Sequence, residues 1–528
     1  MEPDFVIVGA GSAGATLAAR LSANPSTSVT LLESGPDYRS ADAPEAMRSA
    51  NPSTIITEPE FAKYRWDALT ARRTSAQPPR LFWRGRGAGG SSAVNGQIAI
   101  RGMVEDFDAW AAQGCKGWSF AELLPFFNRL ETDLRYGAAS YHGDAGPIPI
   151  YRAPLSRWGA VDQALGEAAL DLGHAWAPDH NAPHALGVSP YAINSRDGVR
   201  VSTNDAYLEP SRARPNLKIV GDAHVDRVLI EGQRAVGVRF RHGGTWQDLR
   251  ARAVLLCAGA VHSPAILLRS GIGPPAHLTE LGIPTRVALP VGEQLQDHPM
   301  AAFVVLLNDH AVPPPGFRHT NCCVRYTSGI AGAGPGDMMI IAMNRLGDSI
   351  GRHLSDASAP AVFGLLGVWV NECVSRGRVR LTSADPLSEP IVEENMLDAP
   401  SDLARMRDGV RRVLEIARHP ATRAVGNVVA PGLELDGDPP DATIDAWVMS
   451  TAGDAQHASC TCRMGDPSAP TSVVDPECRV LGVDGLRVID ASVIPNPIGG
   501  NINATVTMFA EKAADIVLGK PPLPPAEI

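Results

Sequence analysis

Six residues near the N-terminus, Gly9-Ala-Gly11-Ser12-Ala13-Gly14, have the types and spacing to hold a dinucleotide. In such a turn the first glycine permits the tight bend, the second lets the backbone approach a pyrophosphate, and the third lets a helix lie close on a sheet. The free N–H groups and positive dipole end of the helix that begins here favour the phosphates. Glu33 stands about twenty residues on, where a carboxylate accepts hydrogen bonds from a ribose 2′-OH and repels a 2′-phosphate.

The elements that must position these groups are legible around them. Phe5, Val6, Ile7 and Val8 form the apolar run of a buried strand. Ala15, Leu17, Ala18 and Leu21 give the following helix one apolar face, Asn24-Pro25 ends it, and Val29 to Leu32 resume the sheet. Strand, helix, strand and acid agree, so the stretch predicts a dinucleotide-binding βαβ unit instead of an ordinary βαβ turn.

Gly85-x-Gly87-x-x-Gly90 is a second match to the same spacing. Pro78-Pro79-Arg80 precedes it in place of a buried strand, and Asn95-Gly96 interrupts any helix after it, so a second βαβ unit is rejected. Gly90, Ser91 and their neighbours instead suit a backbone nest whose N–H groups cradle a phosphate or the polar edge of a ring. The plain alternative is a flexible surface loop. A strand-like segment at 97–101 follows.

Bulk properties bound the function. A chain of 528 residues should form more than one domain, and a formal charge of −10 excludes a general affinity for nucleic acid or anionic membranes. The longest apolar run, near 361–370, is too short to cross a bilayer and contains glycine, so no membrane span is expected. Because the first strand is under way at Phe5, a cleavable signal peptide would destroy the fold, and a cytoplasmic location is expected. Eight cysteines without a CxxC pair indicate neither a disulfide scaffold nor a redox dithiol, and Cys322-Cys323 and Cys460-Thr-Cys462 read as packing residues. His174, His180 and His184, with Asp179 between them, are broken up by Pro178 and Pro183; they read as a solvated loop, and no metal is expected. From 36 to about 80 the irregular sequence reads as a surface excursion or lid.

Four motifs in order resemble one family. They are the nest ending in Asn95-Gly96, the segment Gly259-Ala-Val-His-Ser-Pro-Ala-Ile-Leu-Leu-Arg-Ser-Gly-Ile-Gly273 after the strand-like run 253–257, the segment His457-Ala-Ser-Cys-Thr-Cys-Arg-Met-Gly465, and the return Gly485-Leu-Arg-Val-Ile-Asp-Ala-Ser492 with Gly500-Asn-Ile-Asn503. Together they resemble the glucose-methanol-choline flavoprotein oxidoreductases, and within them the bacterial oxidases of aryl and furanyl primary alcohols.

The resemblance implies FAD as the dinucleotide and an α/β with α+β fold. A Rossmann-type FAD-binding domain would be assembled from 1–150, 200–300 and 450–528. A substrate-binding domain of antiparallel sheet flanked by helices would take 151–199 and 301–449. Val225 would meet the adenine through its backbone, Asp490 and Ala491 the ribityl or phosphate part, and Asn503 the flavin ring. The strand-like pieces 217–220, 223–230 and 235–240 read as a β-meander, 402–418 and 504–518 as helices. Trp369 and Val370 either line the substrate pocket or are plain core.

The family's base position falls on His457, one of fourteen histidines, and an imidazole of ordinary pKa about 6.5 suits removal of a hydroxyl proton. Its partner position falls on Asn501, whose amide can donate to an alkoxide-like oxygen but cannot act as a base. Some members attach flavin through a histidine in the nest; here the stretch is Ser91-Ser-Ala-Val-Asn95, so the FAD is expected to be non-covalent. The implied activity is oxidation of a small primary alcohol, preferably aromatic or heteroaromatic, to the aldehyde, with O2 or a quinone or dye as electron acceptor. The alternative on the same fold is a hydroxynitrile lyase with redox-silent FAD.

Overall fold

The computed structural model describes residues 2–52, 59–346 and 362–527, so part of the expected lid and the start of the 361–370 run lie outside the described residues. Four apolar runs that are far apart in sequence come together in one parallel sheet with a fifth strand at its edge. Its order is Leu217–Val220, Val29–Leu32, Phe5–Val8, Ala253–Leu256, Leu486–Val488. The central strands are buried on both faces, which is why they read as continuous Val, Ile and Leu instead of alternating. The helix Ser12–Leu21 crosses one face, and the C-terminal helix Asn503–Val517 lies beside it, tied by an Arg20–Glu511 ion pair of 2.7 Å.

Two strand assignments from sequence are corrected. Leu217–Val220 is no part of the meander; it pairs in register with Val29–Leu32, and its half-exposed end marks it as the sheet's edge. The meander is His224–Glu231, Arg234–His242 and Thr245–Arg250, whose third strand was missed because it is short, charged and largely exposed. Residues 97–101 form no strand: Gln97 has φ +63° and Ile98 makes only an isolated bridge to Ile193.

The second large sheet is antiparallel. Its order is Gly426–Val429, Pro299–Leu307, Phe363–Val370, Met338–Leu346, Cys322–Tyr326, Gly187–Pro190, with Gly453–Asp454 pairing onto Pro299–Leu307. Helices Ala160–Asp171, Pro400–Arg418 and Asp441–Thr451 cover one face. Strand periodicity settles the two roles left open for neighbouring residues. Leu366, Val368 and Val370 pack under those helices, whereas Leu365 and Trp369 point the other way, into the space between the two sheets. All eight cysteines are buried and unpaired, as packing residues should be.

Gly14 joins helix to sheet at contact distance. A Cβ built there would lie 1.8 Å from the Gly9 carbonyl oxygen and 3.2 Å from Cys257 Cβ. The clash is with backbone, which cannot step aside as a side chain can. Gly14→Ala should therefore destabilise the protein by roughly 3 kcal/mol, the upper range for overpacking, read as a fall in the urea or thermal unfolding midpoint; an unchanged midpoint would refute this packing role.

Candidate active site

Between the two sheets lies a cavity of about 890 Å3, walled by both glycine motifs, the C-terminal return and the open face of the antiparallel sheet. Of the residues singled out from sequence, Gly9, Gly11, Ser12, Ala13, Glu33, Gly90, Ser91, Asn95, Gly96, Val225, His457, Asp490, Ala491, Asn501 and Asn503 all line it. Gly14 does not, in keeping with its packing role.

The glycines divide their work as their spacing implies. Gly9 has φ +98°, and a Cβ there would lie 2.5 Å from the Cys257 carbonyl oxygen. At Gly11 a Cβ would meet only Gly90 Cα, at 3.8 Å, so this backbone is bare toward the cavity. Gly90 itself, φ +49°, rests so closely on Gly11 that a Cβ would come within 2.7 Å of it. Gly87, Gly89 and Gly90 all have positive φ, the backbone of a nest, and the nest is seated on the N-terminus of the first helix.

Side chains lock this cradle. The buried Glu33 carboxylate accepts N–H groups of Ala10 at 2.7 Å, Gly35 at 2.8 Å and Gly87 at 2.9 Å, tying the first turn to the nest. Burial pushes its pKa up, and these three donors oppose the shift. Sequence alone suggested a ribose contact and missed this anchoring role, because nothing in the chain order links residue 33 to residue 87. Asp490 is similarly committed: Oδ2 accepts from the Gly259 N–H at 2.9 Å and the Ser263 hydroxyl at 2.6 Å, and Oδ1 from the Ser492 N–H at 2.8 Å. Ser12 Oγ donates to Asn503 Oδ1 at 2.9 Å, joining the starts of the two helices that meet at the cavity. Asn95 Oδ1 accepts from the Gln97 N–H and from Arg200, each at 2.9 Å, and Ser91 Oγ accepts from the Gly85 N–H at 3.1 Å.

The two residues singled out as base and partner meet on the cavity lining. His457 Nε2 is 2.9 Å from Asn501 Nδ2, and His457 Nδ1 is 2.9 Å from His298 Nδ1. With the Asn501 amide donating, Nε2 carries the lone pair and Nδ1 holds the proton shared with His298. His298 was not singled out from sequence; it sits in Gln296-Asp297-His298-Pro299, far from His457 along the chain. Burial, then the neighbouring His298 and Arg84, holds His457 well below 6.5, and burial holds His298 at about 4. Both rings are therefore neutral at physiological pH. The Trp369 ring stands edge-on to His457, centroids 6.2 Å apart.

The histidine loop read as solvated is partly buried and its members part company. His180 contacts Cys323 Sγ and Arg325, His184 pairs with Glu105 at 2.8 Å, and Asp179 joins Arg152 and His142. A different group, Glu131, Asp133 and His142, brings its ligand-type atoms within 4.8 Å of one another. Arg101 holds Glu131 at 2.7 Å and Arg152 holds Asp133 at 2.6 Å, so the carboxylates are already neutralised by guanidinium groups. No described helix is long and apolar enough to cross a membrane.

Does the cradle fit a flavin dinucleotide? It offers bare glycine backbone at the starts of the Ser12–Leu21 and Gly259–Arg269 helices, at Gly11 and Gly259, and buried polar atoms without protein partners elsewhere on the lining, Trp83 Nε1 and Asn501 Oδ1. Both features suit a large ligand with phosphates at one end and a polar ring at the other. The comparisons agree. The N-terminal GMC oxidoreductase family model matches residues 3–300 and the C-terminal one residues 374–510; the chain belongs to the GMC oxidoreductases. It is an FAD-dependent enzyme acting on the CH–OH group of alcohols.

Over 98% of both chains it is 36% identical to 5-(hydroxymethyl)furfural oxidase of Methylovorus sp. (strain MP688). It is 35% identical to oxygen-dependent choline dehydrogenase of Photobacterium profundum, over 99% of this chain and 94% of the relative. Among solved structures, pyridoxine 4-oxidase from Mesorbium loti superposes with a TM-score of 0.87 at 30% identity, over 98% of this chain and 100% of that one.

Gly11→Leu should abolish retention of the yellow cofactor while costing little stability, since only the cavity side is filled. Flavin released by acid, per mole of protein, is the measurement; stoichiometric flavin in the variant would place the phosphates elsewhere.

Proposed function

We propose that the protein oxidises a neutral primary alcohol, aromatic or heteroaromatic by preference, with His457 as the general base and non-covalent FAD as the cofactor. The observation that carries this is the convergence of His457 Nε2 and Asn501 Nδ2, 2.9 Å apart, on the wall of a cavity whose sheet side is apolar. When bound, FAD supplies the acceptor for the carbinol hydride. As the substrate hydroxyl replaces the Asn501 amide at Nε2, the unprotonated Nε2 takes the hydroxyl proton, and Asn501 donates instead to the same oxygen as charge builds on it. The His298 contact at Nδ1 keeps the ring oriented for that transfer.

The sheet contributes Met300, Ile341, Met343, Leu365 and Trp369 to the cavity, an apolar floor with an aromatic edge. Among the described residues lining the cavity the carboxylates are Glu33, Asp454 and Asp490. Glu33 and Asp490 are taken up by N–H and hydroxyl donors, and Asp454 by Arg73 at 2.6 Å. None is left to face a quaternary ammonium, which supports a neutral ring substrate of the furanyl or pyridyl kind over choline. The relatives this chain is similar to are oxidases and dehydrogenases of choline, hydroxymethylfurfural and pyridoxine, which favours oxidation over the lyase reading.

The test is anaerobic stopped-flow with a panel of benzylic, furanyl and pyridyl primary alcohols and choline. Neutral aryl alcohols should bleach the flavin, and choline should do so at least tenfold less efficiently; a reversed order would refute the substrate class. Admitting air then sorts the acceptor, since prompt reoxidation marks an oxidase and a persistently bleached flavin a dehydrogenase.

His457→Ala should slow reduction by roughly 10²–10⁴-fold with FAD retained. In the parent the base is neutral at any pH above its lowered pKa, so the rate should be flat from pH 6.5 upward, with its acid limb below 6.5. A limb rising above pH 6.5 in the parent would refute the lowered pKa of His457, and a His457→Ala variant as fast as the parent would refute its role as base.

A further inference from the structure

The backbone that carries His457 is irregular, and one buried side chain completes it. Met300 pairs with Gly453 and Pro299 with Asp454 in an antiparallel ladder, and the Ala455 N–H donates to the His298 carbonyl at 3.0 Å. The ladder resumes at a bridge between Gln296 and Ser459. Between these fixed pairs the 453–459 strand holds two residues more than the 296–300 strand. The excess is taken up at Gln456, φ +65°, and His457. Such a bulge turns a side chain out of the ladder, here toward the cavity, and deprives backbone N–H groups of the carbonyls they would otherwise meet.

Asp297 supplies the missing acceptor. Its Oδ1 takes the N–H of His298 and the N–H of His457, both at 2.8 Å. Its side chain is wholly enclosed, and Oδ2 faces Arg84 Nη2 at 3.5 Å. On the same segment the Cys373 thiol donates to the Asp297 carbonyl at 3.3 Å. One oxygen atom thus fixes the main chain of both histidines whose rings meet at 2.9 Å. Buried donors without an acceptor are costly, so removing this oxygen would oblige the bulge to rearrange.

We propose that Asp297 is a positioning residue of the reaction, its Oδ1 closing the bulge so that His457 Nε2 is held beside Asn501 at the cavity. This rests on the assignment of His457 as the base. Its contribution is geometric: a base displaced by about an ångström loses on the order of 10²-fold in rate. The carboxylate touches neither substrate nor cofactor in this role, and an amide oxygen at the same place would serve the two N–H groups as well.

The experiment uses flavin-loaded Asp297→Ala and Asp297→Asn, with His457→Ala alongside. Anaerobic flavin reduction is measured per bound flavin with one good alcohol over a range of concentrations, and amide hydrogen exchange is followed in the peptides covering 296–298 and 454–460. Asp297→Ala should reduce its flavin about 10²-fold more slowly at saturation, with a much smaller change in half-saturating concentration, and should lose protection in both peptides. Asp297→Asn should stay within tenfold of the parent and keep the protection. The clamp stands if the asparagine variant keeps both rate and protection, and is overturned if it loses them. It is overturned if either changes alone in either variant, or if the alanine variant changes neither. Should the alanine variant fail to hold flavin, the asparagine variant decides by the same rule. A parent-like rate in His457→Ala would sink the base assignment instead, whatever the Asp297 variants show.

Discussion

A carboxylate shut away from water must be met by donors, and Glu33 is met by three backbone N–H groups from three separate turns. Hydrogen bonds to a charged acceptor contribute about 1.5–3 kcal/mol each, several times the thermal energy. The three together decide that the turn after the first strand, the end of the second strand and the nest near residue 87 share one surface. The glycines then do what only glycine can: Gly9 and Gly90 adopt positive φ, and Gly11 leaves its backbone open toward the cavity.

The same device recurs around His457 and along the C-terminal return. Asp490 caps the Gly259–Arg269 helix and orders the return at Ser492, and Asp297 holds the two histidine backbones. Each of these carboxylates links segments that lie far apart in the chain, and each spends its lone pairs on main-chain donors instead of on arginine alone. Loop backbone around a large cavity cannot satisfy itself through ladders, so buried acids substitute for missing carbonyls. The consequence for electrostatics is that Glu33 and Asp490, though on the cavity lining, direct their lone pairs at protein donors and not at a ligand.

The antiparallel sheet contributes a surface more than a set of reacting groups. Its strand Phe363–Val370 is buried throughout, and only the alternation of side chains separates Trp369, edge-on to His457, from Val370, packed under the helices. An apolar floor beside a buried imidazole is a low-dielectric setting that disfavours the ring's charged form.

Much was legible in the chain because some positions admit a single explanation. Gly9, Gly11 and Gly14 declare a dinucleotide turn, since backbone clearance is a local requirement written within a few residues, whereas the tie from Glu33 to the nest at Gly87 is not written there. The apolar runs at Phe5–Val8 and Ala253–Leu256 declare buried parallel strands for the same reason. The motif around His457 and Asn501 pointed to base and partner only through resemblance, as their 2.9 Å meeting is a product of packing. Tertiary structure alone decided the rest. It moved Leu217–Val220 from meander to parallel sheet, because an edge strand's partner is chosen by burial and not by its neighbours in sequence. It put His298 behind His457, and Asp297 beneath both, because a bulge's unpaired N–H groups exist only once two distant strands have been laid side by side.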